Sequence, residues 1–407
     1  MKLDTDWVRA QFPAFSEPSL EGQAFFENAG GSYPCRQVVD RLTRFYTSRK
    51  VQPYAPYPVS ELAGAEMDEA RTRLSAMLGV AEDELSFGPS TTQNTYVLSQ
   101  AVRGWLEPGD AIVVTNQDHE ANSGPWRRLA ETGIDVREWP IDPETGHLDP
   151  AALSQLLDDG KVRLVCFPHC SNVVGEINDV ASIVAMATSA GARTCVDGVS
   201  YAPHGFPDVG TLGPDVYLFS AYKTYGPHQG IMVIREGFGA ELPNQGHVFN
   251  GGTLSKKFTP AGPDHAQVAA SAGMADYLEA LSQHHGGDGA GPKAARHAHE
   301  MMRGAEGALL QPLLDDLAAR NSVRLIGPSD ARVRAPTVAV ELAGKGEEMA
   351  GRLARHGVMA GGGDFYAGRP LAAMGVPLDK GVLRLSFTHY TTAAEIDQLR
   401  AALDAEL

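Results

Sequence analysis

The sequence predicts an α/β protein in which a large domain with a mainly parallel sheet is followed by a smaller α+β C-terminal domain. Two features of the 407-residue chain carry this prediction. Helix-like segments alternate with short apolar runs rich in β-branched residues from about residue 65 to 235, which is typical of strand-helix-strand units. A glycine-rich stretch at 284–293 then breaks the pattern, and short strands and helices in mixed order follow it.

Five apolar runs are the predicted strands of the large domain. Each is apolar along nearly its whole length, which indicates a parallel sheet that helices cover on both faces. Two of the helical segments that separate or precede them are AEMDEARTRLSAMLG and NDVASIVAMATSAGA. The runs are AIVVT (111–115), RLVCF (163–167), RTCVD (193–197), DVYLF (215–219) and GIMVI (230–234).

The part of the chain after the glycine-rich stretch predicts the small domain. A long helix-like segment comes first, and the last residues form a further helix. We therefore predict a large domain over 21–290 and a small domain over 291–407, with residues 1–20 packing on the small domain. The segments concerned are the helix from Ala294 to Arg320, the runs at 323–327, 337–342 and 382–387, and the helices EEMAGRLARHG and TAAEIDQLRAALDAEL.

The charge and hydropathy of the chain limit its partners. Its 34 Lys and Arg face 50 Asp and Glu, a net charge of −16, and the cations are scattered singly. Binding to phosphate backbones or to anionic lipids needs clustered cations, so we expect neither nucleic acid nor membrane as a partner. No apolar run approaches the roughly 20 residues that span a bilayer, and the first residues do not resemble a leader peptide, so we expect a cytoplasmic protein.

The cysteines point the same way. Cys35, Cys166, Cys170 and Cys195 are too few for a disulfide framework in a chain of this size, which favours a reducing compartment. Cys166, His169 and Cys170 suggest a metal site by their types alone. Because Cys166 ends an apolar run, we interpret these cysteines as small buried residues and predict no metal site.

Polar residues that follow the predicted strands indicate a binding site. Ligands of such sheets bind beyond the carboxyl ends of the strands. Lys223 follows one strand, Asp197 ends another, and the Ser90-Thr91-Thr92 turn opens a helix. A lysine for an aldehyde, an aspartate for a protonated ring nitrogen and a helix N-terminus for a phosphate together predict pyridoxal 5′-phosphate as the cofactor.

Seven motifs, in the family's order, make a resemblance specific. The chain resembles the class V aminotransferase family of fold type I pyridoxal-phosphate enzymes, and especially its cysteine desulfurase branch. This implies a seven-stranded, mainly parallel sheet, an α-amino acid as substrate, and a homodimer with shared active sites, to which YAPYP (54–58) would contribute. The motifs are FFENAGGSYP (25–34), the Ser-Thr-Thr turn, Asp118-His119, SNVVG (171–175), VDG (196–198), SAYK (220–223) and RLSFTHYTTAAEID (384–397).

The resemblance also implies roles for individual residues. Lys223 would form the internal aldimine and then move the substrate α-proton, Asp197 would hold the pyridine nitrogen protonated, and His119 would stack on the ring and relay protons. These three are the predicted catalytic residues. Further predicted cofactor-binding residues are Thr91, Thr92, Asn172, Ser200, Ser220 and Tyr222, and predicted substrate-binding residues are Arg384, Asn28 and Gly30.

The chain departs from the desulfurase pattern where sulfur transfer would take place. The loop that carries the family's cysteine reads VMAGGGDFYAGRPL (358–371) and contains none. Persulfide formation needs a thiolate beside the substrate, so we expect no desulfurization by that route. Tyr222 and Ser200 stand where the family usually has histidine and glutamine, and Pro263 stands where a threonine usually reaches the partner's phosphate.

Several reactions remain open for this resemblance. We favour β-elimination, as in a carbon–sulfur lyase, through the external aldimine and quinonoid. The first alternative is transamination to a keto acid, as in class V aminotransferases. Epimerization, decarboxylation and a non-catalytic pyridoxal-phosphate-binding protein are further alternatives. Nine aromatic and histidine residues lie in segments near the expected site, and we expect about half of them near the ligand.

Overall fold

The computed structural model describes residues 2–407. Its strands are β1 (Ala24–Phe25), β2 (Leu85–Gly88), β3 (Ala111–Thr115), β4 (Asp135–Trp139), β5 (Val162–Pro168), β6 (Arg193–Asp197), β7 (Val216–Ser220), β8 (Gly230–Ile234), β9 (Val323–Leu325), β10 (Thr337–Leu342), β11 (Val358–Met359), β12 (Gly361–Gly363) and β13 (Val382–Ser386).

The helices vary from single turns to one of 27 residues. They are α1 (Thr5–Ala10), α2 (Arg36–Ser48), α3 (Pro58–Leu78), α4 (Thr91–Arg103), α5 (Gly124–Arg127), α6 (Pro150–Leu157), α7 (Val180–Ser189), α8 (Val209–Leu212), α9 (Glu236–Glu241), α10 (Leu254–Lys257), α11 (His265–Ala270), α12 (Ala272–His284), α13 (Pro292–Ala318), α14 (Gly346–Ala354), α15 (Gly368–Ala373) and α16 (Ala393–Glu406). Within residues 2–407, no helix combines the length and apolarity needed to cross a membrane.

The large sheet confirms the predicted fold class. In the described residues it has seven strands in the order β2-β8-β7-β6-β5-β3-β4. The pairs from β7 to β4 are parallel, whereas β8 runs antiparallel to both β2 and β7. The five apolar runs form β3, β5, β6, β7 and β8. The edge strands β2 and β4 were not predicted, because β2 is short and β4 is largely exposed and charged. Charged side chains are common on edge strands.

Both faces of this sheet are buried, which explains the uninterrupted apolar runs. Successive side chains of a strand point to opposite faces. Val113 and Val165 accordingly lie in one hydrophobic core, and Ile112 and Leu164 lie in the other. The helices that cover the two faces leave the carboxyl ends of the strands free for a site.

The C-terminal part contains an antiparallel sheet in the order β12-β13-β10-β9, with a separate core beneath it. β1 lies inside the range predicted for the large domain, yet it pairs in parallel with β11, and Ala24 and Phe26 belong to the C-terminal core. The long helix α13 crosses from one core to the other, with Ala298 in the first and Leu313 in the second. The domain limits stay a prediction.

The N-terminal segment contacts elements from both parts of the chain. Arg9 donates to the Tyr390 carbonyl at 2.9 Å and forms an ion pair with Glu395. Trp7 stacks on His284 at the end of α12 with ring centroids 4.4 Å apart. These contacts tie α1 to the terminal helix α16 and also to α12.

Candidate active site

A cavity of about 440 Å³ lies at the carboxyl ends of β5, β6 and β7. Its wall also includes the first residues of α4, the segment that follows β1, and Arg384 of β13. Residues from eight separate stretches of the chain therefore meet there. The sequence-predicted site residues on the wall are Gly30, Thr91, Thr92, His119, Asn172, Asp197, Ser200, Ser220, Tyr222, Lys223 and Arg384.

Asn28 is not on this wall but lines a smaller cavity together with Ser200 and Lys223, and its contact with substrate stays a prediction. Its amide donates to the Ser386 carbonyl at 3.3 Å and accepts from the Tyr390 hydroxyl. Both partners lie in or just after β13. The Asn28 side chain therefore attaches the segment that follows β1 to that strand. The neighbouring Glu27, which pairs with Ser386 in an isolated β-bridge, lines the cavity.

Lys223 ends a single turn of 3₁₀-helix after β7. Burial and, to a smaller extent, the nearby Arg384 lower the pKa of its ammonium from 10.5 to about 8, against the opposing effects of Asp197 and Glu27. A lysine whose pKa is near 8 supplies a substantial fraction of free amine near neutral pH. The side chain is thus suited both to condense with an aldehyde and to carry a proton.

Asp197 is the last residue of β6, and 6% of it is exposed. Its Oδ1 accepts from the Val199 backbone N–H at 2.8 Å. Burial raises the pKa of this carboxyl from 3.8 to about 6, against the lowering effects of the Val199 N–H and Lys223. A carboxylate desolvated in this way binds a cation strongly, and a protonated ring nitrogen fits it.

His119 follows β3 and lines the cavity with a neutral ring. Its Nδ1 accepts from the Ala121 N–H at 3.0 Å, so the proton of the neutral ring belongs on Nε2. Burial and the positive charges of Lys223 and Arg384 lower the pKa of the imidazole to about 3. The flat, uncharged ring fits a stacking partner for a heteroaromatic cofactor.

The N-terminus of α4 forms the anion-binding end of the cavity. The Ser90 hydroxyl caps this 13-residue helix by accepting from the Gln93 N–H at 3.1 Å. The hydroxyls of Thr91 and Ser220 lie 2.8 Å apart, and Thr92 is exposed to the cavity. A helix N-terminus with converging hydroxyls suits a phosphate.

Gly230 of β8 allows the helix to approach the sheet, and its replacement tests the phosphate end. A β-carbon there would lie 2.5 Å from the Thr91 nitrogen, so Gly230→Ala must displace the start of α4. We expect about 1–3 kcal/mol of destabilisation and at least tenfold weaker cofactor binding, measured by thermal unfolding and by titration of the apoenzyme. Gly237→Ala, with open space around it, is the control; equal affinities in both variants would contradict this role for α4.

Comparison with known proteins places this geometry in a family. The class V aminotransferase model, "Aminotransferase class-V", matches residues 24–399.

The chain belongs to the class V aminotransferase family.

Individual relatives agree with this assignment and with the resemblance to cysteine desulfurases. The chain is 34% identical to "Aminotransferase-like protein FGM3" of Gibberella zeae over 98% of both chains. It is 28% identical to a cysteine desulfurase of Serratia proteamaculans, covering 99% of this chain and 98% of that one. The apo cysteine desulfurase of Thermococcus onnurineus has the same fold, with a TM-score of 0.85 at 22% identity, covering 100% and 98%.

Pyridoxal 5′-phosphate is the cofactor of this class V enzyme, and the cavity fits it. Lys223 offers an amine of lowered pKa, Asp197 a desolvated carboxylate, and α4 a phosphate cradle. Asn172 adds a buried Oδ1 that has no hydrogen-bond partner in the described chain, while its Nδ2 donates to the Phe365 carbonyl at 3.0 Å. An unpartnered buried polar atom is costly unless a ligand satisfies it.

Arg384 of β13 presents a cation to the cavity. Its guanidinium is 3% exposed and lies over the Phe365 ring, 3.8 Å from the centroid. Nη2 donates to Glu27 Oε1 at 2.6 Å, and Nη1 donates to the Asn172 carbonyl at 3.4 Å. Nε has no partner among the described residues, so one edge of the guanidinium stays free for a substrate carboxylate.

Several wall residues were missed from the sequence. Glu27 and Tyr96 were not predicted, although Glu27 precedes Asn28 in FFENAGGSYP and Tyr96 lies one helical turn after Thr92. Of the nine aromatic and histidine residues predicted to lie near the site, Phe365 and Tyr366 line the cavity, and the expectation of about half near the ligand stays a prediction. The nine are Tyr33, Tyr54, Tyr57, His204, Tyr225, His228, Phe365, Tyr366 and His389.

The cysteines and His169 have structural partners. His169 bonds the Tyr217 hydroxyl at 2.8 Å and stacks on Tyr201 with centroids 3.6 Å apart. Cys166 lies opposite Cys195 across neighbouring strands. Cys170 lines the cavity, but its thiol is buried and donates to the Gly175 carbonyl at 3.3 Å. Burial raises the pKa of the Cys170 thiol to about 12.

Proposed function

We propose that this class V enzyme catalyses β-elimination on an α-amino acid that carries a leaving group on its β-carbon, as a carbon–sulfur lyase does. The observation that carries the proposal is the chemistry of the cysteines. The loop at 358–371 has none, and Cys170, which lies on the wall, has a thiol pKa of about 12. A persulfide route requires a thiolate, whereas elimination releases the sulfur on the departing thiol and needs no enzyme cysteine.

The side chains of the cavity support each requirement of this reaction. Bound pyridoxal phosphate delocalises the negative charge that develops on the substrate α-carbon. Lys223 takes the α-proton because its amine has a pKa of about 8. Asp197 neutralises the protonated nitrogen of the cofactor ring, and Arg384 binds the substrate α-carboxylate. Breaking the Cβ–S bond releases a thiol, and addition of water yields a keto acid and ammonia.

Transamination is the second candidate, supported by the name of the Gibberella zeae relative, "Aminotransferase-like". A transaminase transfers the amino group to the cofactor and stops after one turnover unless a keto acid accepts it. Epimerization would replace only the hydrogen on the α-carbon, so the product would keep both the carboxylate and the side chain. Decarboxylation would release carbon dioxide. The products therefore separate the four reactions.

The test is incubation of the holoenzyme with S-alkyl cysteines in the absence of any keto acid. We expect continuous release of thiol, keto acid and ammonia in equal amounts over many turnovers. One equivalent of keto acid per active site, without thiol, would instead indicate transamination and overturn elimination.

Cys170→Ser tests the absence of a persulfide route. Because the Cys170 thiol is held in its protonated form by burial, we expect the variant to keep activity within about twofold of wild type. Serine retains a donor for the Gly175 carbonyl, so the fold is preserved. Loss of sulfur release, or a persulfide trapped on Cys170 by an alkylating reagent, would contradict the proposal.

We also propose a cytoplasmic homodimer with shared active sites. An apolar groove lined by Pro34, Val38, Leu42 and Tyr46 continues to His228, which stacks on Tyr222 of the cavity wall with centroids 4.6 Å apart. A surface of this kind suits burial against a second copy. The four cysteines are free and buried, in keeping with a reducing compartment. Analytical ultracentrifugation of the holoenzyme tests the dimer.

A further inference from the structure

Glu27 lines the cavity, but its carboxylate has no role in the cofactor binding or the proton transfer described above. It follows β1 and accepts from Arg384 Nη2 through Oε1 at 2.6 Å. Its Oε2 is buried and has no hydrogen-bond partner in the described chain. Gly30 and Gly361 make room for it, since a β-carbon at either position would lie 2.7 Å from one of its oxygens.

The charges of the cavity become unbalanced when a substrate carboxylate enters. Asp197 faces the cofactor ring and Lys223 is used in chemistry, which leaves Arg384 as the cation for the α-carboxylate. Glu27 already occupies one edge of that guanidinium. Two carboxylates would then share one cation in a largely desolvated space, and their repulsion is costly there.

Other charged groups on the wall do not restore the balance. Glu120 adds a further carboxylate, and Arg369, its partner at 3.3 Å, is not among the wall residues. The cation that is missing must therefore arrive with the substrate. The free Oε2 of Glu27 is the acceptor that such a cation would find.

We propose that the cavity selects α-amino acids whose side chain carries a positive charge, an ammonium or a guanidinium, which donates to Glu27 Oε2. The aromatic rings of Tyr96 and Tyr366 on the same wall offer further favourable contacts to a cation. A neutral side chain leaves Oε2 buried without a partner and leaves the second carboxylate uncompensated. The inference deepens the proposed β-elimination by naming the class of its substrate.

The experiment compares two S-substituted cysteines of equal size. S-(2-aminoethyl)-L-cysteine ends in an ammonium, and S-propyl-L-cysteine ends in a methyl group. With the wild-type holoenzyme we expect kcat/KM to be about 10- to 100-fold higher for the charged compound, the range for a charge-assisted hydrogen bond. In Glu27→Gln the preference should fall to within about threefold.

Two further variants separate this subsite from general damage. Glu27→Asp keeps the charge and should retain a measurable preference for the cationic compound. Glu120→Gln removes the other carboxylate of the wall, which is already paired and half exposed, and should leave the preference as in wild type. A wild-type ratio near one, or an unchanged ratio in Glu27→Gln, would overturn the proposal.

Binding without turnover distinguishes this inference from the proposed reaction. Calorimetric titration of the Lys223→Ala protein, saturated with pyridoxal phosphate, reports the affinity for each compound independently of any product. If neither compound releases thiol from wild type, the β-elimination proposal fails, and the affinity ratio still decides the role of Glu27. Equal affinities for the two compounds would reject the cation subsite even in an active lyase.

Discussion

Lys223→Ala is expected to abolish the absorbance band near ~420 nm that bound pyridoxal phosphate gives in the wild-type protein, and to lower turnover about 10³-fold or more. The variant loses both the covalent link to the cofactor and the amine that takes the α-proton. Absorbance spectra and the thiol-release assay measure the two losses. Noncovalent cofactor binding should persist, because Asp197 and the N-terminus of α4 remain.

A pH series on the wild-type apoenzyme tests the same residue independently. The pKa of Lys223 is lowered to about 8, and only the uncharged amine can attack an aldehyde. The rate of cofactor capture should therefore rise about tenfold per pH unit below pH 8 and level off above it. Lys293→Ala, at an exposed position of α13, is the control. Full activity in Lys223→Ala, or a flat rate profile, would remove Lys223 from the mechanism.

Asp197→Asn is expected to lower kcat by about 10²–10³-fold, the usual cost of removing one preorganised charge from an active site. The amide keeps the shape of the side chain and can still accept from the Val199 N–H, but it cannot neutralise a protonated ring nitrogen. The effect should appear mainly in kcat, because Lys223 and α4 still hold the cofactor. Steady-state kinetics with a cysteine conjugate provide the measurement.

The pH dependence of activity in wild type and in Asp197→Asn gives a second readout. Burial raises the pKa of Asp197 to about 6 in the absence of the cofactor, and a bound cationic ring stabilises the carboxylate and moves the pKa downward. In wild type, activity should decline as the pH falls through a value at or below about 6, whereas Asp197→Asn should lack this decline. Asp179→Asn, which preserves the cap of α7, is the control. A full kcat in Asp197→Asn would contradict the role.

The unequal success of sequence reasoning follows from how each residue is positioned. Lys223, Asp197 and Thr91 stand at a strand or helix end, and the ends of parallel strands must meet at one edge of the sheet. Local pattern was therefore enough to predict that they converge. Asn28 and Glu27 are adjacent in a short segment with no strong pattern, and the folded structure directs Asn28 to Tyr390 and Glu27 to the cavity.

The sequence alone determined the order of the apolar runs, the positions of Lys223 and Asp197 and the lack of a loop cysteine. Periodicity and chemical type are properties of the sequence itself. The pairing of β1 with β11, the Arg384–Glu27 ion pair and the elevated pKa of Cys170 were not determined in this way. Each depends on groups hundreds of residues apart or on burial from all sides, and the three-dimensional packing alone establishes such contacts.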